Sequence, residues 1–291
     1  MAGTSMRDIK RRIRSVTSIE HITNAMKLVS AAKLRRAKNA FEHIREYLHY
    51  VTDNIDALCA RADELPPHYL AGGREIKRAC CIVVTGNRGL AGSYNSNIIK
   101  AAERGMRESD ASEKDKPLFA CVGNKGRNYF SKRGFEIVSE YLDPPENISF
   151  AVAREFMAPV LKKYDEGEID EIMIVYTLFK STMEQHVTME RLLPFELKKN
   201  PPKPHKPLPE YEPGPAEVFN YLVPKYTEIM VYRALVESAA CEHAARRMAM
   251  QNATDNAREM IDNLNLNYNR ARQAAITSEI TEIVSGADAI K

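Results

Sequence analysis

Tryptophan is absent from this chain of 291 residues, and glycine and proline are absent from both of its ends. From Thr4 to Leu65, and again from Lys225 to Ser285, neither breaker occurs; all fifteen prolines lie between Pro66 and Pro224, with every glycine except Gly3 and Gly286. Proline removes a backbone donor and glycine costs helix entropy, so each terminal run is expected to form one uninterrupted helix. At about 1.5 Å per residue each would be roughly 90 Å long, more than an ordinary globular core covers, so each needs a partner.

Other absences exclude whole classes of activity. No apolar run approaches the ~20 residues of a membrane helix and the N-terminus lacks a secretion signal's apolar core, so no direct membrane insertion is expected. The five cysteines (Cys59, Cys80, Cys81, Cys121, Cys241) are odd in number and form no CxxC pair, which reads as reduced, buried thiols. The seven histidines show neither HxxxH nor HExxH spacing, and no serine sits in a nucleophile elbow. Neither metal, cofactor nor catalytic constellation is expected.

What is present is unevenly distributed. The net charge is only +3, yet up to Lys38 ten lysines and arginines stand against Asp8 and Glu20, which suggests an acidic partner for this end. No aromatics interleave with these charges, so nucleic acid is a poor candidate for that partner. Leu34, Ala37, Phe41, Ile44, Leu48, Val51, Ile55 and Leu58 recur at alternating spacings of three and four, the seam of a coiled coil. Upstream, Ile9, Ile13 and Val16 start in the same phase, after which the apolar stripe moves to Ile19, Ile22, Met26 and Val29, a predicted break in the heptad. In the C-terminal run Ala257, Ile261, Leu264, Tyr268, Ala271 and Ala275 keep the same spacing, and small residues from Ser238 to Ala245 invite close approach.

Between the runs the pattern changes to strands alternating with helices. Ala79–Thr85, Leu118–Val122, Phe135–Ser139 and Ile169–Thr177 read as strands, with helical patterns from Tyr94, Lys125 and Phe150. Gln185–Leu193 alternates as an edge strand would. Residues 198–215 hold seven prolines and read as an extended connector. Pro224 should kink or restart the last helix, and Gly286 should stop it. The expected organisation is therefore a helix over 1–65, an α/β domain over 75–197, the connector, and a second helix over 216–291. This is a Rossmann-like α/β domain inserted between the two strands of a long antiparallel helical coiled coil.

The one tempting chemical site is the exit of the first strand, Gly86-Asn87-Arg88-Gly89-Leu90-Ala91-Gly92-Ser93, echoed by Gly123-Asn124-Lys125-Gly126 at the second. Backbone amides at such turns cradle phosphate, and Arg88 and Lys125 would add charge. The spacing fits neither GxGxxG nor GxxxxGK[ST], and no acid follows the second strand to hold a ribose. A nucleotide-binding α/β enzyme with coiled-coil oligomerisation arms is the alternative that this turn keeps open. Arg272, Gln273, Thr277 and Glu279, a mixed polar set near the C-terminus, suggest contacts to a surrounding protein.

Several segments resemble a known family. Ile276 to Ala289 (ITSEITEIVSGADA) is similar to the C-terminal signature of the gamma subunit of F-type ATP synthases, and Ile22 to Ala37 (ITNAMKLVSAAKLRRA) to its N-terminal hallmark. Ala244 to Met250, Ala253 to Ala257 and the turn Gly89 to Gly92 resemble it too, so the likeness runs from end to end. It implies a noncatalytic central rotor stalk whose coiled coil stands inside a hexamer of alpha and beta subunits and whose foot meets the epsilon subunit and the membrane c-ring. Residue by residue, it implies that Met26 and Lys27 face acidic loops of the catalytic subunits. It further implies that Arg246, Gln273, Thr277 and Glu279 support coupling or touch the hexamer, and that Tyr211 and Glu212 lie near the ring. The cysteine-bearing insertion of chloroplast relatives is missing and the likeness starts almost at residue 1. Both imply a bacterial protein, peripheral on the cytoplasmic face of the plasma membrane.

Overall fold

The computed structural model describes residues 6–59, 65–73, 75–108, 116–143, 148–195 and 211–288. Its elements are α1 (Met6–Cys59), β1 (Ala79–Val84), α2 (Tyr94–Glu108), β2 (Leu118–Val122), α3 (Asn124–Ser131), β3 (Ile137–Tyr141), α4 (Phe150–Asp165), β4 (Glu171–Phe179), β5 (Gln185–Leu193) and α5 (Pro215–Asp288). The chain divides into two compact units. One comprises residues 1–31 with 246–291, the other residues 32–245.

In the larger unit a five-stranded sheet has the order β3-β2-β1-β4-β5. The first four strands are parallel and β5 pairs antiparallel with β4, as the cleaner alternation of Gln185–Leu193 suggested. Parallel strands are buried on both faces, so β1 and β2 are apolar throughout. Alternate residues serve different cores. Cys80, Ile82 and Val84 pack with Phe156 and Val160 of α4 and with Val231 and Leu235 of α5. Cys81 and Val83 pack with Ile98 and Ala102 of α2 and Phe130 of α3. Ile55 and Leu58 of α1 join the first of these cores, which ties both long helices to the sheet.

Boundaries differ from the sequence reading in places. β3 and β4 each begin and end two residues later than expected, because β-rich apolar runs do not show where ladder pairing begins. α5 is a single helix of 74 residues that passes through Pro224. The helix does not restart there; the Thr227 hydroxyl donates to the Pro224 carbonyl at 2.8 Å, and Phe219 and Val223 on one side and Val231 on the other are buried in one core. Nor does Gly286 stop the helix, which runs on to Asp288. Most of the proline-rich connector, residues 198–210, lies outside the described residues, as do Asp63 and the side chains of Phe41 and Ile44.

The small residues of α5 accept two kinds of neighbour. Leu34 of α1 packs on Ala240 and Ala244. The exit of β4 comes equally close: the Thr177 amide donates to the Ser238 hydroxyl at 3.5 Å, the Cys241 thiol lies 3.3 Å from the Thr177 carbonyl, and the Tyr94 hydroxyl donates to the Ser238 carbonyl at 3.1 Å.

Candidate functional site

The glycine-rich turn is built for closure. The Gly86 amide donates to the Asn95 side chain at 2.8 Å, and the Asn124 amide donates to the Asn87 side chain at 2.9 Å. The Thr85 hydroxyl accepts from the Gly126 amide and lies 2.8 Å from the Val122 carbonyl. A Cβ built on Gly86 would stand 2.7 Å from the carboxyl carbon of Glu242, a buried residue of α5. The place where a phosphate would approach the strand exit is thus taken by a carboxylate of the same chain. The adjoining cavity measures about 20 Å³, room for about one water and far too small for a nucleotide. Arg88 and Lys125 are exposed rather than turned inward. The glycine at 86 reads as close packing against α5, and the nucleotide alternative finds no support in this geometry.

Other reactive groups of this unit are held inert by burial. The five cysteines are free thiols, four of them buried and Cys59, contrary to expectation, only half-buried; burial pushes Cys80 and Cys121 up to about 12. Glu237 on α5 is 2% exposed; burial raises its carboxyl to about 7, against the pull of Arg233 3.4 Å away. Among the described residues no group of three His, Cys, Asp or Glu could hold a metal ion.

The smaller unit is a pair of helices. Thr23 lies 2.9 Å from Thr254 and Glu20 lies 2.9 Å from Arg258, so descending α1 matches ascending α5 and the pair is antiparallel. On α1 the buried positions Ile9, Glu20, Thr23 and Ser30, with half-buried Ile13, Val16 and Lys27 between them, follow one another at spacings of four and three; Asp8, Thr17, Asn24 and Met26, which flank this row, are half-buried too. The heptad break expected from the apolar stripe is therefore absent. Of the apparent continuation of the seam, Ile19, Ile22 and Val29 are 49%, 57% and 55% exposed, and Met26 is half-buried. The seam stays in register by becoming polar, which is tolerable because its polar groups are paired. The Thr254 hydroxyl donates to Thr23, Thr23 to the Glu20 carbonyl at 3.1 Å, and the Arg258 guanidinium forks onto one Glu20 oxygen. Glu20, Thr23, Thr254 and Arg258 escaped the sequence reading because only apolar residues were followed. Carrying the spacing strictly forward from Ile9, Ile13 and Val16 would have landed on Glu20 and Thr23.

On α5 the expected seam residues Ala257, Ile261, Leu264, Tyr268, Ala271 and Ala275 are the shielded ones, all of them buried or half-buried. Beyond Ala275 every described side chain to Ser285 is exposed, including Ile276 at 48%, Ile280 at 56% and Ile283 at 71%. With Val284 at 54%, these side chains share one face of the helix at i, i+4, i+7 and i+8, and an exposed apolar stripe of this kind marks a surface meant to be covered.

The residues singled out by resemblance fall into three groups. Met26, Lys27 and Arg246 are half-buried in the helix pair, with Lys27 on the seam itself. Gln273, Thr277 and Glu279 are exposed along the last turns of α5, where the Thr277 hydroxyl donates to the Gln273 carbonyl at 2.9 Å. Tyr211 packs against the core of the larger unit while its neighbour Glu212 is exposed. The structure brings the second group together on one helix end. No described helix is long and apolar enough to cross a membrane.

Comparison with known proteins agrees with this arrangement. The family model described as ATP synthase matches residues 5–290. The chain is 47% identical to the ATP synthase gamma chain of Moorella thermoacetica, across 98% of this chain and 99% of that one. It is 44% identical to the ATP synthase gamma chain of Alkaliphilus metalliredigens, across 99% and 100%. Among solved structures it is similar to a chain of the central stalk and c-ring of Tetrahymena thermophila mitochondrial ATP synthase. That likeness has a TM-score of 0.59 at 25% identity and covers 80% of this chain and 99% of the other.

Proposed function

The chain belongs to the ATP synthase gamma-chain family, and from that premise we propose that it is the rotating central stalk of a bacterial ATP synthase. It would carry torque between an ion-driven membrane c-ring and a hexamer of alpha and beta subunits, with the epsilon subunit beside its foot, and would perform no chemistry of its own. Its place would be peripheral, on the cytoplasmic face of the plasma membrane.

The observation that carries this reading is the bare end of α5. Residues 276–285 carry an apolar stripe, Ile276, Ile280, Ile283 and Val284 at i, i+4, i+7 and i+8, with no described side chain covering it, next to Gln273, Thr277 and Glu279. An isolated helix gains nothing from such a surface; a sleeve of other subunits would cover it. Inside the sleeve, a rod whose contacts differ from side to side would shift each catalytic subunit toward the conformation it touches best. Torque demands that the two helices not slide along one another. The Thr23–Thr254 and Glu20–Arg258 pairs oppose sliding, since a one-residue shift would break all of these bonds and bury a carboxylate without its cation.

The test is direct observation. A bead attached through an engineered cysteine in the α2–β2 region, on a complex whose hexamer is fixed to glass, should turn in one direction when ATP is added. A complex that hydrolyses ATP while the bead stays still would overturn the reading.

A further inference from the structure

Between residues 252 and 269 the helix α5 carries six asparagines: Asn252, Asn256, Asn263, Asn265, Asn267 and Asn269. Asparagine is a poor helix former, because its short carboxamide competes for nearby backbone groups. Glutamate, lysine or glutamine would keep the surface as soluble and hold the helix better. Elsewhere the chain uses its carboxamides: Asn54 donates to the Tyr50 carbonyl at 2.7 Å, Asn95 accepts from the Gly86 amide at 2.8 Å, and Asn87 accepts from the Asn124 amide at 2.9 Å. The six side chains on α5 are all exposed, and among the described residues none of their carboxamides has a partner within the chain. Spacing sorts them. Asn252, Asn256, Asn263 and Asn267 follow one another at steps of four, seven and four, which places them on one face. At about 100° per residue, Asn256 and Asn263 stand about 200° round the helix from the seam residues Thr254 and Ile261, so this face points away from α1. Met260, 52% exposed, lies in the middle of the row, and the row runs on through Arg270 to Gln273 and Thr277 at steps of three and four.

Resting on the rotor reading above, we propose that this row is a docking surface for an uncharged main-chain loop of the surrounding subunits, whose peptide groups bond the carboxamides while Met260 takes an apolar side chain. A carboxamide carries both a donor and an acceptor, as a peptide group does. A carboxylate only accepts and an ammonium only donates, so a charged partner would leave half of each asparagine unused. Glu259 and Asp262, exposed beside the row, repel an acidic segment, and Asp255 is held by Gln251 at 2.7 Å. The row is continuous with Gln273 and Thr277, two further neutral side chains on the part of α5 assigned to the hexamer. Lost helix propensity without a compensating bond inside the chain is the mark of a residue kept for a contact outside it.

The experiment uses the full chain, alone and assembled with the hexamer. It reads the unfolding midpoint of the chain and the half-time with which fluorescently labelled chain leaves the complex. Asn256→Ala, Asn263→Ala and Asn267→Ala combined should raise the midpoint by roughly 2–6 °C, since alanine is the better helix former. The same variant should leave the hexamer about tenfold faster or more, since its bonds to the partner are gone. Asn265→Ala, equally exposed but on another face, should raise the midpoint slightly and leave the half-time unchanged. Asn263→Lys and Asn263→Asp should both shorten the half-time; a longer one for either would mean a charged partner and overturn the proposal. A lowered midpoint for the triple variant would make the carboxamides part of the fold, and a half-time equal to that of the wild type would leave them merely solvated; either result overturns the proposal. Failure of the wild-type chain to join the hexamer at all would overturn the rotor reading and this surface with it.

Discussion

Thr23 and Thr254, 231 residues apart in the chain, share a 2.9 Å hydrogen bond in the buried seam between α1 and α5. Both side chains are less than a tenth exposed, and the one Thr254 hydroxyl proton is shared between Thr23 and the Met250 carbonyl, 2.8 Å away. A hydroxyl pair in such a place sets register, since either oxygen displaced by a residue loses its partner without gaining water.

Replacing one threonine by valine should therefore cost more than replacing both. Thr23→Val and Thr254→Val should each destabilise the chain by about 1–2 kcal/mol, and the double variant by less than their sum, with a coupling of about 1 kcal/mol. Urea denaturation of the four chains measures it. Strict additivity would mean that the pair does not act as a unit.

The exposed stripe beside that seam should behave in the opposite way. Ile22→Ser and Val29→Ser alter residues more than half exposed, so each should leave the stability of the isolated chain within about 0.5 kcal/mol. Both should weaken assembly with the hexamer, measured as the fraction of chain recovered in the complex. Loss of stability equal to that of a buried substitution would restore Ile19, Ile22 and Val29 to the seam.

Close approach of α5 to the first strand exit makes its own prediction. Gly86→Ala places a methyl 2.7 Å from the Glu242 carboxyl group and should cost about 1–3 kcal/mol. Glu242→Ala combined with it should recover part of that loss, because the offending atoms are gone. A double variant as unstable as the sum of the two single ones would place the strain elsewhere.

Glu237 gives the fold a pH dependence of known sign. Its carboxyl is raised by burial to about 7 from an ordinary 4.5, so between these values the folded state holds a proton that the unfolded state has released. The stability this group contributes is complete below pH 4.5 and is lost as pH rises through 7. Arg233, Tyr176, Glu190 and Tyr226 act on the same pocket; Tyr176 donates to Glu190 at 2.8 Å. Across pH 4.5–7, wild type should lose about 1–3 kcal/mol relative to Glu237→Gln. Parallel profiles for the two proteins would remove the carboxyl from the account.

Much of this was legible in the sequence, and the reasons are specific. Breaker-free ends announced α1 and α5, and apolar runs with intervening helical patterns announced the sheet, because burial on both faces leaves a continuous apolar signature in Cys80 to Val84. Spacing found the α5 seam from Ala257 to Ala275. The same method failed on α1, where the apolar stripe through Ile19, Ile22 and Val29 serves an outer surface and the true seam carries Glu20, Thr23 and Ser30. Proline did not end the helix at Pro224, since packing of Phe219, Val223 and Val231 into one core holds the helix through it. Nothing local in the sequence pointed Glu242 at Gly86; that contact joins residues far apart in the chain and belongs to the tertiary fold.

The central claim is that this chain transmits force through contacts at the end of α5. It is tested most directly by replacing Thr277 and Glu279 together with alanine in the assembled complex. Both side chains are exposed, so the urea midpoint of the isolated chain should move by less than about 0.5 kcal/mol. Ion-driven ATP synthesis should fall by about tenfold or more, the equivalent of losing some 1.4 kcal/mol of contact energy with the hexamer. Synthesis at the wild-type rate, or a loss of synthesis no greater than the loss of stability, would contradict it.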